Sequence, residues 1–290
     1  MKKQKLPMSV ARASEISLGR PDGCLGDTSK MPGPSWGTSA FACRRGNSLA
    51  KNPRTVCGHC YAQRNLYLYP NVIDAHAKRL AGSNHPLWVH AMVVLITHYV
   101  KPEIPFFRWF DSGDLQGVGM LRKIAEVCRR TPAVRHFLPT HEPYIVRDYL
   151  GLGGTLPPNL CIRISADLIG KPPKRIKGLE NFPTSTVHRG HDAKHRVVVS
   201  TKQSDSIECK AYLRPEKNCG ACRACWERKV RNVSFAFHGE QPRDYSGLLP
   251  FGMDIGQDNQ NFPRKSYVGK RTYTRARRRE IKKHQLRLIE

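Results

Sequence analysis

The chain has 290 residues, with 49 Lys and Arg against 23 Asp and Glu and a formal net charge of +26 at pH 7. That length buries a sizeable core, and that charge points to a polyanionic partner such as nucleic acid before it points to a merely solubilising surface. No run of eighteen apolar residues is present, which argues against a helical membrane span, and no apolar signal core follows the basic start, so a cytoplasmic location is expected.

In chain order, residues 1–36 are rich in Gly, Pro, Ser and charge and read as an irregular N-terminal arm, with Cys24 in it as a reduced, unligated thiol. Thr38 to Ala42 is a short apolar candidate for a first strand. Val72 to Ala81 is modestly periodic, and Leu87, Ala91, Val94, Leu95 and His98 recur at helical spacing between Pro86 and Pro102. The aromatic run Phe106 to Phe110 reads as a buried strand. Leu115, Val118, Leu121, Ile124 and Val127 return to the helical period, with Asp114 as the helix start.

The alternation continues with a strand over His136 to Thr140, a short helix over Tyr144 to Leu150 and a strand over Leu160 to Ser165. Residues 169–194 are proline-rich and basic and read as loop. Further strands are expected over Arg196 to Ser200 and Val233 to Phe237. Strands alternating with helices imply a parallel sheet with functional groups at the carboxyl ends of its strands. The expected fold is therefore α/β: an incomplete (βα) barrel-like sheet over residues 37–240, with a Cys-rich C-terminal insertion and a basic extension over 241–290. In that extension Arg275, Arg277, Arg278, Arg279, Lys282 and Lys283 are candidate phosphate contacts.

Ten cysteines in a reducing compartment speak for metal or redox chemistry rather than a disulfide framework. They fall in two groups. Cys43, Cys57 and Cys60 span a polar, basic loop ending in Cys57-Gly58-His59-Cys60-Tyr61. Three thiolates can hold three corners of a four-iron cluster or three positions on zinc, with His59 or Cys24 as a fourth zinc ligand. Cys209 precedes Cys219, Cys222 and Cys225, whose C-x2-C-x2-C spacing favours a cubane cluster with Cys209 as fourth corner, closed tetrathiolate zinc being the alternative. Arg108 and Arg163 lie within apolar runs, so their charges must either point outward or meet partners such as Asp111, Asp114, Glu142 or a ligand carboxylate. His141 and Glu142, after the strand ending at Thr140, are candidates for proton transfer.

Three cysteines ending in C-x2-C before an aromatic resemble the cluster loop of radical S-adenosylmethionine enzymes, although here thirteen residues separate Cys43 from Cys57, where that superfamily usually has three. The resemblance implies one or two [4Fe-4S] clusters, S-adenosylmethionine as cofactor and an electron donor as partner. It also implies that Ser112, Gly113 and Asp114 receive the amino group of the methionine moiety, and that Ser165 and Asp167 meet the ribose hydroxyls. KMPGPSW, VCGHCYA, FRWFDSGDLQ, PTHEPY, NLCIRISAD and CGACRACW together resemble a family of proteins carried by phages and mobile elements. That resemblance implies the host cytoplasm as the setting. The leading expectation is an iron–sulfur enzyme that modifies a nucleic acid base or a nucleotide. The alternative is a non-enzymatic nucleic-acid-binding protein with structural zinc or iron–sulfur sites.

Overall fold

The computed structural model describes residues 8–188 and 206–237. The expected strand at 196–200 and the basic extension, with Arg275, Arg277, Arg278, Arg279, Lys282 and Lys283, lie outside the described residues. The described elements are α1 (Val10–Leu18), β1 (Gly26–Asp27), β2 (Pro34–Trp36), α2 (Arg44–Leu49), α3 (Pro70–Gly82), α4 (Trp88–Tyr99), β3 (Phe106–Trp109), α5 (Val118–Arg130), β4 (Arg135–Thr140), α6 (Pro143–Gly151), β5 (Leu160–Ser165), β6 (Thr184–His188), β7 (Ser206–Glu208) and β8 (Asn232–Ala236).

The strands form one sheet in the order β1-β2-β3-β4-β5-β6-β8-β7. Only the β1–β2 pair is antiparallel. Strands β2 to β6 follow the chain order across the sheet, as a singly wound half-barrel requires, and the sheet does not close. Among the described residues no helix is long and apolar enough to cross a membrane.

Side-chain alternation gives the two faces different cover. Phe107, Trp109, Leu138, Leu160, Ile162 and Ile164 point into the main core, where α1, α4, α5 and α6 pack. Trp36 meets Trp88 and Trp109 edge-on there, with ring centroids 5.3 and 5.9 Å apart. Helix α4 lies between α1 and α5 as well as over the sheet, so it is apolar nearly all round; α5 buries only Leu121, Ile124, Ala125, Val127 and Cys128. On the opposite face Phe106, Phe137, Val233 and Phe235 pack under Ala224, Cys225 and Trp226, so the Cys-rich segment takes the place of a helix layer.

Four expectations are corrected. The arm expected over residues 1–36 is not irregular over its described residues, 8–36: Ser9 caps α1 by accepting a hydrogen bond from the Arg12 amide, Gly19 ends it at φ 74°, and β1 and β2 follow. The first core strand is β2, and Ala40–Ala42 is a 3₁₀ turn rather than a strand. Helix α5 begins at Val118, not at Asp114. Residues 169–194 are not all loop, because β6 lies among them. Its Thr-Ser-Thr-Val-His sequence is too polar to stand out from the basic, proline-rich stretch before it.

Candidate metal centre

The three N-terminal thiols sit where β2 runs out, above the carboxyl ends of β3, β4 and β5. Cys43 ends a 3₁₀ turn and starts α2, and Cys57 and Cys60 bracket another short turn, in which the Cys60 amide donates to the Cys57 carbonyl. Cross-links to the loop after β5 fix this segment. The Val56 amide donates to the Asp167 carbonyl at 2.9 Å, the Ile169 amide donates to the Arg54 carbonyl at 3.1 Å, and Thr55 and Leu168 form an antiparallel bridge. Two side chains brace it from below: the Asn47 amide donates to the carbonyls of Phe41 and Cys43, and Gln63 donates to Asn47 Oδ1.

Glycine sets the spacing between the thiols. A Cβ on Gly46 would lie 3.7 Å from the sulfurs of both Cys43 and Cys57, so these thiols flank one gap. A Cβ on Gly58 would come within 2.6 Å of the Asn52 carbonyl oxygen, so that turn closes only with glycine. Burial pushes the Cys57 thiol up to about 12, with Cys60, Asp114 and Asp167 adding to the shift. Burial also raises Cys43, reinforced by Asp114 and the other two thiols, and raises Cys60. A cationic centre would have to displace these protons on binding. Among the described residues no three His, Cys, Asp or Glu side chains converge on a point that could hold a single metal ion. All ten cysteines are free thiols. His59 gives its Nε2 to the Pro53 carbonyl at 2.8 Å, and Cys24 is exposed.

The turn after β3 carries the next set of groups. Asp114 does not cap a helix: it clamps two strand ends. Its Oδ1 accepts from the Leu115 amide and from Thr140 Oγ1, and its Oδ2 accepts from the His141 amide. Burial raises its carboxyl even so. Gly113, at φ 82°, lets this turn pack on Thr38. Buried in the same corner, Thr38 Oγ1, Asp111 Oδ1 and Ser112 Oγ have no hydrogen-bond partner. Three orphaned polar atoms in one buried corner are the arrangement a polar ligand would complete.

Around the rest of the mouth, Arg45 of α2 ties the strand ends together. Its guanidinium pairs with Asp167 at 2.5 Å, its amide donates to Glu142 Oε1, and its charge lies 5.7 Å over the Tyr144 ring. The His141 Nδ1 is 3.5 Å from the other Asp167 oxygen. Burial would raise Asp167, but His141 and Arg45 hold it below the ordinary carboxylate range, whereas burial raises Glu142. Ser165 Oγ accepts from Ser185 Oγ at 3.1 Å. Sequence reasoning missed Arg45, Thr38 and the role of Asn47. Position alone could have flagged the first two, since Arg45 follows Cys43 closely and Thr38 follows the first core strand.

The second cysteine group lies on the concave face. Burial raises Cys225 to about 12, with Cys209 and Cys219 adding to it, and burial also raises Cys209 and Cys219. Arg163 does not pair with a carboxylate as expected. Fully buried, it donates to the carbonyls of Ala224, Cys225, Glu227, Val230 and Thr184 at 2.7 to 3.1 Å, which pins the C-x2-C-x2-C segment to β5. Arg108 donates to the Met31 sulfur and, at 3.4 Å, to the Phe110 carbonyl, with Tyr61 and Asp111 close enough to stabilise its charge.

The fold and site define a class: a singly wound parallel half-barrel with a three-thiol mouth at its carboxyl end and a cysteine-rich plug on its concave face. The chain belongs to the Gene product 88 family, a phage-type family whose model matches residues 22–228. No curated protein and no solved structure matches the chain.

Proposed function

We propose that the chain is an iron–sulfur enzyme of the radical S-adenosylmethionine type, working in the reducing cytoplasm of a host cell. Cys43, Cys57 and Cys60 would each hold one iron of a four-iron cluster, and the fourth iron would take S-adenosylmethionine. Such a centre supplies one-electron radical chemistry initiated at a sulfonium, and it needs an external electron donor. The observation that carries the reading is the grouping of three free thiols, close enough for one another, Asp114 and Asp167 to shift them, at the carboxyl ends of parallel strands. A cluster takes each cysteine on its own iron, so its donors need not converge on one point.

The chain's own groups divide the remaining work. Asp111 Oδ1 and Ser112 Oγ keep free acceptor capacity and suit an ammonium group better than Asp114, whose oxygens already take three donors. Ser165 and Asp167 would receive the hydroxyls of a bound nucleoside. Asn47 and Gln63 hold the thiol segment in register, an outer shell that orients the ligands.

The test is anaerobic reconstitution with iron and sulfide, followed by iron analysis, an electron-spin spectrum of the reduced protein and assay for 5′-deoxyadenosine. Wild type should take up about four irons in the first site and form deoxyadenosine. Cys57→Ala should lose both while keeping its circular dichroism. Stoichiometric zinc with no iron uptake, and unfolding of Cys57→Ala, would refute the reading.

The net charge of +26 favours a second reading, a nucleic-acid-binding protein whose thiols hold structural iron–sulfur centres. On that reading the basic extension supplies most of the affinity. Removing residues 264–290 should then weaken binding to duplex DNA and flatten its salt dependence.

A further inference from the structure

The three-thiol mouth is ringed by cations and exposed aromatic rings, and we infer that this rim is a platform for a single strand of nucleic acid. This deepens the reading of the mouth as a reacting centre by naming the substrate class, and it rests on that reading only for what the strand is brought there to undergo.

The charge asymmetry is local as well as global. Residues 44–64 contain Arg44, Arg45, Lys51, Arg54 and Arg64 and no acid, and residues 168–177 contain four more cations and no acid. The backbone pairing of Arg54 with Ile169 and of Thr55 with Leu168 brings these two stretches side by side, so their charges share one edge of the mouth. Arg44, Lys51, Arg54 and Lys171 are all exposed. The acids of the mouth point inward: Asp114 is buried in its three hydrogen bonds and Asp167 is held by Arg45. At the α6 corner the rim carries a surface carboxylate, in the exposed ion pair of Arg147 with Asp148.

Two exposed rings border the same mouth. Tyr144 is 41% exposed and lies beneath both Arg45 and Arg147, at 5.7 and 5.1 Å. Tyr61, next to Cys60, is 55% exposed while its hydroxyl donates to the Asp111 carbonyl and Tyr67 meets its ring edge-on at 5.6 Å. A tyrosine anchored by its hydroxyl and more than half exposed offers a held stacking surface. Cations to follow a backbone and aromatic faces for unstacked bases are the two components of single-strand binding. A duplex keeps its bases paired and would use only the cations. A strand lying on the rim presents its bases to the mouth without the cost of flipping them from a helix.

The test measures binding of a fluorescent oligothymidylate of about 16 nucleotides to the full chain across a salt series. Four proteins are compared: wild type, Arg54→Glu with Lys171→Glu, Tyr144→Ala, and a control pair, Arg122→Glu with Lys101→Glu, which reverses two exposed cations away from the mouth. The rim reversal should cost at least about tenfold in affinity and lower the salt slope by about 1.4, the value for two lost phosphate contacts on a single strand. Tyr144→Ala should cost about fivefold or more, with Tyr144→Phe binding as wild type. The control pair should change affinity less than the rim pair. If the rim pair loses no more than the control, or if Tyr144→Ala binds as wild type and a duplex of the same length binds as tightly as the single strand, the platform is refuted. None of these measurements needs a cofactor, so iron uptake and deoxyadenosine formation in the same variants separate failure of the platform from failure of the cofactor reading.

Discussion

Arg163 carries more of the concave face than any other single residue. Its guanidinium presents five N–H donors in a rigid plane, and all of its hydrogen bonds run to backbone carbonyls, four of them in residues 224–230. Methionine would fill much of the volume and leave those carbonyls unpaired in a dry interior. Arg163→Met should therefore lower stability by about 3 kcal/mol or more, read as a fall in the urea midpoint, and should loosen the Cys219–Cys225 segment first. Arg163→Lys should not rescue it, since an ammonium has three donors and no fixed fork. An unchanged midpoint would mean that water replaces the guanidinium without cost. From the sequence, an arginine in an apolar strand called for a charged partner. The alternative of four carbonyls from a segment some sixty residues later is invisible without the fold.

At the scale of elements, the segment carrying Cys57 and Cys60 depends on a short length of backbone pairing with the loop after β5, organised by one hydroxyl. Thr55 Oγ1 donates to the carbonyls of Leu49 and Asn52 at 2.8 and 2.7 Å and accepts from the Gly58 amide at 3.0 Å. Thr55→Val keeps the shape and strands these groups, at a cost of about 1–3 kcal/mol. Hydrogen exchange should quicken at the amides of Gly58 and Cys60 while those of β4 and β5 stay protected; uniform loss across the sheet would show that the segment is not a separate unit. Much of the architecture was legible in the sequence. Helical periods marked α4 and α5, and the apolar run Leu160–Ser165 marked β5 with its boundaries. Helix α1 was missed because glycine and proline just after it dominate the composition of the first residues. Strand β6 is polar, and β7 is only three residues long. The thiols could be paired with one another from spacing, but their position over the strand ends required the contact between residues 54–56 and 167–169, which no local pattern announces. Asp114 was legible as a polar turn residue, whereas its partners come from the next strand.

For the whole molecule, two buried histidines set a pH dependence of stability. Burial lowers His136 to about 3 and His76 to about 4, the latter with help from Arg79. In the unfolded chain both take up a proton below about pH 6.5. Their folded values lie below the unfolded one, so the folded protein binds fewer protons, and the stability they contribute is complete above pH 6.5 and is lost as the pH falls toward 4. Each contributes a slope of up to about 1.4 kcal/mol per pH unit. Asp114 and Glu142, raised by burial, act in the opposite sense, so the informative quantity is a difference. His136→Phe should reduce the acid-side slope of urea stability between pH 6 and pH 5 by about 1 kcal/mol per unit; an unchanged slope would mean that His136 is already protonated in the folded protein. The half-barrel also imposes an order in time. Its inner wall is greasy as soon as Phe106 and Phe137 have left the ribosome, yet the piece that roofs it, Ala224 to Trp226, is made almost ninety residues after Phe137. Through that interval of synthesis a bare sheet face stands open in the cell, and a nascent chain arrested before residue 224 should be a client of chaperones where the finished chain is not.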